Sequence, residues 1–188
     1  MDNRYMGELV LDETAIAAGV ARVAALLNDN YHDAVVITVV PGGILFTADL
    51  VRKLEFTVAM ETISCPHTPG DRSNQSAIMF HPTIDINGRD VIVIDDAIES
   101  GGTMKRLVAY LSTTYAPKSL AIATLFVKPG RIDIPFKQFY AYEMESDDLL
   151  IGYGLPWENR FRNIPFISKL RRFVAVKARR SIAQPTGW

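Results

Sequence analysis

Two adjacent carboxylates, Asp95 and Asp96, follow an unbroken β-branched run at 91–94, and Glu99, Ser100, Gly101, Gly102 and Thr103 come directly after them. Paired acids are expensive in a core, so they are expected to emerge at the C-terminal end of a buried strand, where open α/β sheets bind ligands. There they can accept hydrogen bonds from vicinal hydroxyls or face a metal ion through water. Gly101 and Gly102 let the backbone turn sharply and approach a ligand closely. From Thr103 onward, Met104, Leu107, Val108, Leu111 and Tyr115 keep to one helical face. Free N–H groups at the start of that helix, with the Ser100 and Thr103 hydroxyls, favour an anion. The chemistry on offer is a sugar held by its hydroxyls and a phosphate held by backbone amides. The competing reading is an ordinary strand–turn–helix corner with surface acids, which needs neither two acids nor two glycines in this order.

The rest of the chain must position this segment. Asp12 is placed to cap a helix whose face is Ile16, Val20, Val23 and Leu27, ending at residues 28–30. A buried strand is predicted at 34–40, broken by Pro41, Gly42 and Gly43, and then a helix over 44–54 and a strand over 57–63. Residues 65–76, with two prolines and many polar side chains, read as a mobile loop. A hairpin-like return is predicted over 77–86, with Asn87 and Gly88 as its turn. After the signature strand and helix come strands at 119–127 and 139–142. Strands alternating with helices predict an α/β fold, a mainly parallel sheet flanked by helices. The C-terminal third reads as irregular, a small lobe over the strand ends.

The 188 residues suit one domain, 1–188, and are short for two. With 48% hydrophobic and 22% charged residues, the chain can build a sizeable core and is not disordered overall. A formal net charge of −1 gives no general attraction to nucleic acid. The one basic cluster, Lys169, Arg171, Arg172, Lys177, Arg179 and Arg180, reads as a solvated or subunit-facing tail over about 170–188. Cys65 stands alone, so no intrachain disulfide is possible. Neither an apolar signal region nor a membrane-length apolar run is visible, which makes a cytoplasmic protein without membrane partners the expectation. His32, His67 and His81 are too scattered to form a metal site.

The segment at 91–103 resembles the phosphoribosyl pyrophosphate site of the type I phosphoribosyltransferases, and three further segments point to their hypoxanthine-guanine branch. Residues 39–50, with Pro41, Gly42 and Gly43, resemble the family's pyrophosphate loop and following helix. Residues 125–129, with Lys128, resemble its base-binding lysine segment, and 151–154 with 161–167 its C-terminal segment. The likeness covers roughly residues 8–170. It implies the type I phosphoribosyltransferase fold with a small hood lobe, and transfer of a phosphoribosyl group to hypoxanthine or guanine with release of pyrophosphate. The alternatives are the same reaction on another base such as xanthine, or a regulator that senses phosphoribosyl pyrophosphate without catalysis.

What the resemblance implies for individual residues is specific. The 5′-phosphate would lie on Glu99, Ser100, Gly101, Gly102 and Thr103, and the ribose hydroxyls and Mg2+ on Asp95 and Asp96. Pyrophosphate would lie against Pro41, Gly42 and Gly43, with a non-proline cis bond expected at Pro41–Gly42 and Arg162 as a cation. Lys128, Leu149 and Leu150 would face the base, and Glu99 would assist its deprotonation. The loop at 64–80 would close over the reaction. A solvated strand-end lysine and a surface ion-pair arginine are the plainer readings of Lys128 and Arg162. Four positions depart from the family: Glu99, Cys65, Leu149 and Pro156 stand where aspartate, tyrosine, an aromatic residue and aspartate are usual. Dimers or tetramers are the usual assembly, and Trp157, Phe161 and Phe166 are expected to be exposed for such an interface.

Overall fold

A computed structural model describes residues 3–66 and 76–171. After a 3-10 turn at Asn3–Tyr5, the order is β1 (Met6–Leu11), α1 (Glu13–Asn28), β2 (Asp33–Val40), α2 (Ile44–Val51), β3 (Thr57–Ser64), β4 (Asp90–Ile98), α3 (Gly102–Thr114), β5 (Ser119–Val127), β6 (Lys137–Glu143), β7 (Leu150–Ile151) and β8 (Ile167–Leu170). Five strands form one sheet in the order β3-β2-β4-β5-β6, every pair parallel. The Val/Ile-rich β2, β4 and β5 are its interior strands, as continuous apolar runs require when both faces are covered. One face packs a core with Val20, Val23, Leu27 and Phe46 of α1 and α2; the other packs Met104, Leu107, Val108 and Leu111 of α3. The expected α/β architecture is therefore the observed one.

Local chemistry explains the element ends. The Asp12 carboxylate accepts from the Ala15 N–H at 2.7 Å and caps α1. The helix α2 stops at Val51, three residues short of the expected end, because Lys53 and Leu54 bond back to Leu50 and Val51 in a tighter turn. The hairpin predicted over 77–86 is absent from the described residues there. A single bridge, Ser64 to Met79, pairs the segment with β3. The Glu61 carboxylate holds it instead, accepting from the Thr83 N–H, the Thr83 hydroxyl and the Ile84 N–H at 2.6–2.9 Å.

The C-terminal lobe is more regular than expected. A second sheet, antiparallel in the order β1-β8-β7, joins the two ends of the described chain. Trp157, Phe161 and Phe166 are half-buried rather than exposed, and Phe161 packs on Tyr5 with ring centroids 5.3 Å apart. Most of the basic tail, from Arg172 on, and His67 lie outside the described residues. No helix among the described residues is long and apolar enough to cross a membrane.

Leu107 is fully buried beneath the first turns of α3. Leu107→Ala is expected to lower stability by about 2–5 kcal/mol through lost burial and a residual cavity, read from the urea midpoint.

Candidate active site

The strand order reverses between β2 and β4: β2 continues outward to β3, while β4 leads to β5 and β6 on the other side. At such a switch point the loops leaving neighbouring strands part and open a crevice at the carboxyl ends. Pro41, Gly42 and Gly43 leave β2 there, and Asp95 and Asp96 lie near the end of β4. A methyl group on Gly42 would stand 3.0 Å from Asp96 Oδ2 and 3.1 Å from Asp95 Oδ1. On Gly43 it would stand 2.8 Å from the Ile94 carbonyl oxygen. Gly43 thus lies against the β4 backbone at a distance only glycine permits, and Gly42 sits close over the two carboxylates. The cis peptide is Val40–Pro41, one bond before the expected Pro41–Gly42, where a proline nitrogen makes the cis form less costly.

A third segment completes the packing. Gly154, at φ +102°, lies against Asp96: an added methyl would meet the Gly42 carbonyl oxygen at 2.3 Å and Asp96 Oδ2 at 3.0 Å. Gly154 is tied to Arg162 in both directions. Its N–H donates to the Arg162 carbonyl at 3.0 Å, and Arg162 Nη1 donates to the Gly154 carbonyl at 2.6 Å. The buried Arg162 Nε has no acceptor among the described residues, which removes the surface ion-pair reading. Beside Gly154, the Tyr153 hydroxyl donates to Asp49 Oδ2 of α2 at 2.6 Å. Burial, then the Asp49 carboxylate, push that phenol pKa well up, so it stays a donor.

Asp96 is buried and Asp95 half-buried. Desolvation, then the neighbouring Asp96 charge, raise the Asp95 carboxyl well above its ordinary range. Desolvation raises Asp96 to about 6, while bonds from Asp95 and the Ala97 amide and the Arg162 charge act in the opposite direction. Such a pair invites a cation or hydroxyl donors. No cluster of three or more histidine, cysteine, aspartate or glutamate side chains able to hold a metal occurs among the described residues. Two carboxylates alone suit an ion that takes its other ligands from water and substrate oxygens, as Mg2+ does.

Gly101, at φ +86°, is the N-cap of α3, with no side-chain bond to the helix start. As a glycine, Gly101 brings no side chain to this helix start, whose N–H groups favour an anion. Ser100 is exposed and Thr103 half-buried beside them. The parallel register pairs Ile98 with Val127, so the next residues, Glu99 and Lys128, fall side by side. Lys128 Nζ lies 2.7 Å from Glu99 Oε1 and donates to the Asp148 carbonyl at 2.8 Å. Its side chain is 1% exposed, so the solvated-lysine reading fails. Leu149 is half-buried, whereas Leu150 turns into the core with Tyr153, Leu155 and Ile167. Cys65 is buried, with Arg106 Nη1 3.6 Å from its sulfur. Most of the loop at 64–80 lies outside the described residues.

The sequence reading missed three contributors: Gly154, the Asp148 carbonyl, and the direct pairing of Glu99 with Lys128. A signal existed for the first, since Gly152 and Gly154 flank Tyr153 and all three take positive φ. The pairing becomes visible only with the β4–β5 register, and a main-chain acceptor has no signature.

The family model for the phosphoribosyl transferase domain matches residues 7–157. A hypoxanthine-guanine phosphoribosyltransferase of Mycobacterium avium is 30% identical over 183 residues, covering 88% of each chain. The hypoxanthine phosphoribosyltransferase of Escherichia coli K12 is 29% identical over 175 residues, 89% of this chain and 97% of that one. A hypoxanthine-guanine phosphoribosyltransferase structure from Bacillus anthracis superposes with a TM-score of 0.80 at 27% identity, over 89% of this chain and 99% of that one.

The raised carboxyls have a pH consequence. Between about pH 4 and 6 the folded chain holds protons that the unfolded chain has released. The penalty for ionising Asp96 in place is absent below that window and complete above it. In chelator-containing buffer without substrate, Asp96→Asn is therefore expected to be more stable than the parent at pH 8, by about 2–3 kcal/mol. The difference should vanish near pH 4, as followed by thermal melts across that range.

Proposed function

The chain belongs to the phosphoribosyl transferase family, and within it we propose a purine salvage enzyme. It converts hypoxanthine or guanine and phosphoribosyl pyrophosphate to the nucleoside monophosphate and pyrophosphate. The observation that carries this reading is the convergence at the switch point: vicinal acids, closed over by glycines of two other segments, beside a helix start whose N-cap is a glycine. Its length and order agree with relatives named for the same activity, which match nearly end to end.

In this reading residues 99–103 and the first turn of α3 hold the 5′-phosphate through backbone N–H groups. Asp95 and Asp96 receive the ribose hydroxyls, and they are the residues that would hold Mg2+. When bound, the ion neutralises the charge of the departing pyrophosphate. Pro41, Gly42 and Gly43 lie along the pyrophosphate, and Arg162 supplies a fixed positive charge, its buried Nε having no acceptor among the described residues. A purine ring nitrogen forms the new bond to the ribose C1′ as the C1′–pyrophosphate oxygen bond breaks, and the ring proton passes to Glu99. Lys128 donates to the 6-oxo group, and Leu149 contacts the base, with Leu150 supporting it from the core. Pro156 offers no side-chain ligand for a second ion. A cytoplasmic homodimer or homotetramer is part of the proposal. The exposed Leu9, Ile44 and Leu45 are apolar surface that a second copy would cover, and sedimentation velocity checks it.

Incubation with phosphoribosyl pyrophosphate, Mg2+ and a panel of bases tests the reading by pyrophosphate release. Turnover on hypoxanthine or guanine, abolished by a chelator, is the expected result. Turnover only on another base, or binding of phosphoribosyl pyrophosphate without turnover on any base, replaces it with one of the two alternatives. Glu99→Gln is expected to reduce kcat by about 10²–10⁴-fold, and unchanged turnover would remove Glu99 from the reaction.

A further inference from the structure

Lys128 is a charged side chain at 1% exposure. Its ammonium has three protons to give. One reaches Glu99 Oε1 at 2.7 Å and one the Asp148 carbonyl at 2.8 Å, which leaves one for a ligand. The next carboxylate, Asp147, is 4.0 Å away on a side chain that is 73% exposed. Among the described residues, Glu99 is therefore the one counter-charge in hydrogen-bonding contact with this ammonium. The Asp148 acceptor has independent support. Its side chain is held by the Ser146 hydroxyl at 2.8 Å and by Lys169 at 3.0 Å, and Lys169 is in turn held by Glu8 at 2.8 Å. A change at Glu99 thus removes the charge while leaving the carbonyl in place.

A buried ammonium stripped of its partner is strongly disfavoured, and burial then favours the neutral amine. The difference matters for recognition. An ammonium only donates, so it satisfies an oxo group and leaves an amino group facing another donor. A neutral amine can accept as well, and tolerates both. A site with a fixed donor pattern discriminates strongly, because the wrong ligand leaves buried polar groups unpaired.

We propose that Glu99 is a specificity-determining residue for the acceptor base: by pairing with Lys128 it keeps that subsite donor-only and so selects a 6-oxo over a 6-amino purine. This rests on the purine reading above and adds a second role to the same carboxylate, one exerted in binding rather than in proton transfer.

Equilibrium titration separates the two roles because it needs no turnover. The full chain and its Glu99→Gln and Glu99→Asp variants are titrated with inosine 5′-monophosphate, adenosine 5′-monophosphate and ribose 5-phosphate. The parent should prefer the inosine nucleotide. Glu99→Gln should narrow that preference by at least about tenfold, with ribose 5-phosphate affinity retained. Glu99→Asp, which keeps the charge but reaches one methylene less far, should narrow it by less than Glu99→Gln does. An unchanged preference in Glu99→Gln overturns the inference and leaves the purine reading standing, and Glu99→Asp narrowing it as much as glutamine overturns the charge argument. A parent with no preference for the inosine nucleotide overturns the purine reading itself. Should Glu99→Gln lose ribose 5-phosphate binding, Glu99→Ala is titrated in its place, with the same narrowing expected and an unchanged preference again overturning the inference.

Discussion

Two carboxylates held out of water at the end of β4 set the terms for the structure around them. Asp95 and Asp96 are poorly solvated, and the Asp96 charge also bears on Asp95, so both hold their protons more tightly than free carboxyls do. The chain accepts that penalty at the point where the parallel sheet opens. Three segments that are distant in sequence, around residues 42–43, 95–96 and 154, come together there at separations that leave Gly43 and Gly154 no room for a side chain. Arg162 faces the acids through charge while bonding the Gly154 carbonyl, so the element that seals the crevice also carries the compensating cation. A site arranged this way is unfavourable alone and becomes favourable when a polyhydroxyl or cationic ligand arrives.

The second sheet has its own place in this economy of charge. It joins β1 from the start of the chain to β7 and β8 from its described end, and so fixes where residues 148–154 run across the strand ends. Glu8 of β1 and the Asp148 carboxylate converge on Lys169 of β8. These partly exposed ion pairs contribute little to stability. Their consequence is geometric: they anchor the residue whose carbonyl receives Lys128.

How far the sequence was legible follows from which interactions are local. The β4 run, the α3 face and the Asp12 cap depend on neighbours within a few residues, and all are found as expected. The strands β1 and β8 escaped notice because β1 is mostly half-exposed and bulged, and β8 is four residues long. Neither offers the apolar run or clean alternation that marks a strand. Likewise the hairpin over 77–86 failed because Glu61, a side chain some twenty residues away, satisfies the backbone that a strand partner would otherwise have held. In the site, the acids and glycines were legible as chemistry. The alignment of Glu99 with Lys128 was not, since it is set by the β4–β5 register across 29 residues.

That alignment gives a physical meaning to glutamate at a position where the family usually carries aspartate. Glu99 stands on an exposed loop, while Lys128 is sealed at the end of the adjacent strand. The extra methylene extends the carboxylate by about 1.5 Å, and from this backbone position it makes full contact with the ammonium. The loop proposed to hold the phosphate and the lysine proposed to read the base are then joined by one ion pair, so neither half of the site is set independently. A longer acid at this position is in that sense a trade. It gives the buried lysine a close partner, and it obliges any incoming base to compete for a carboxylate that is already engaged.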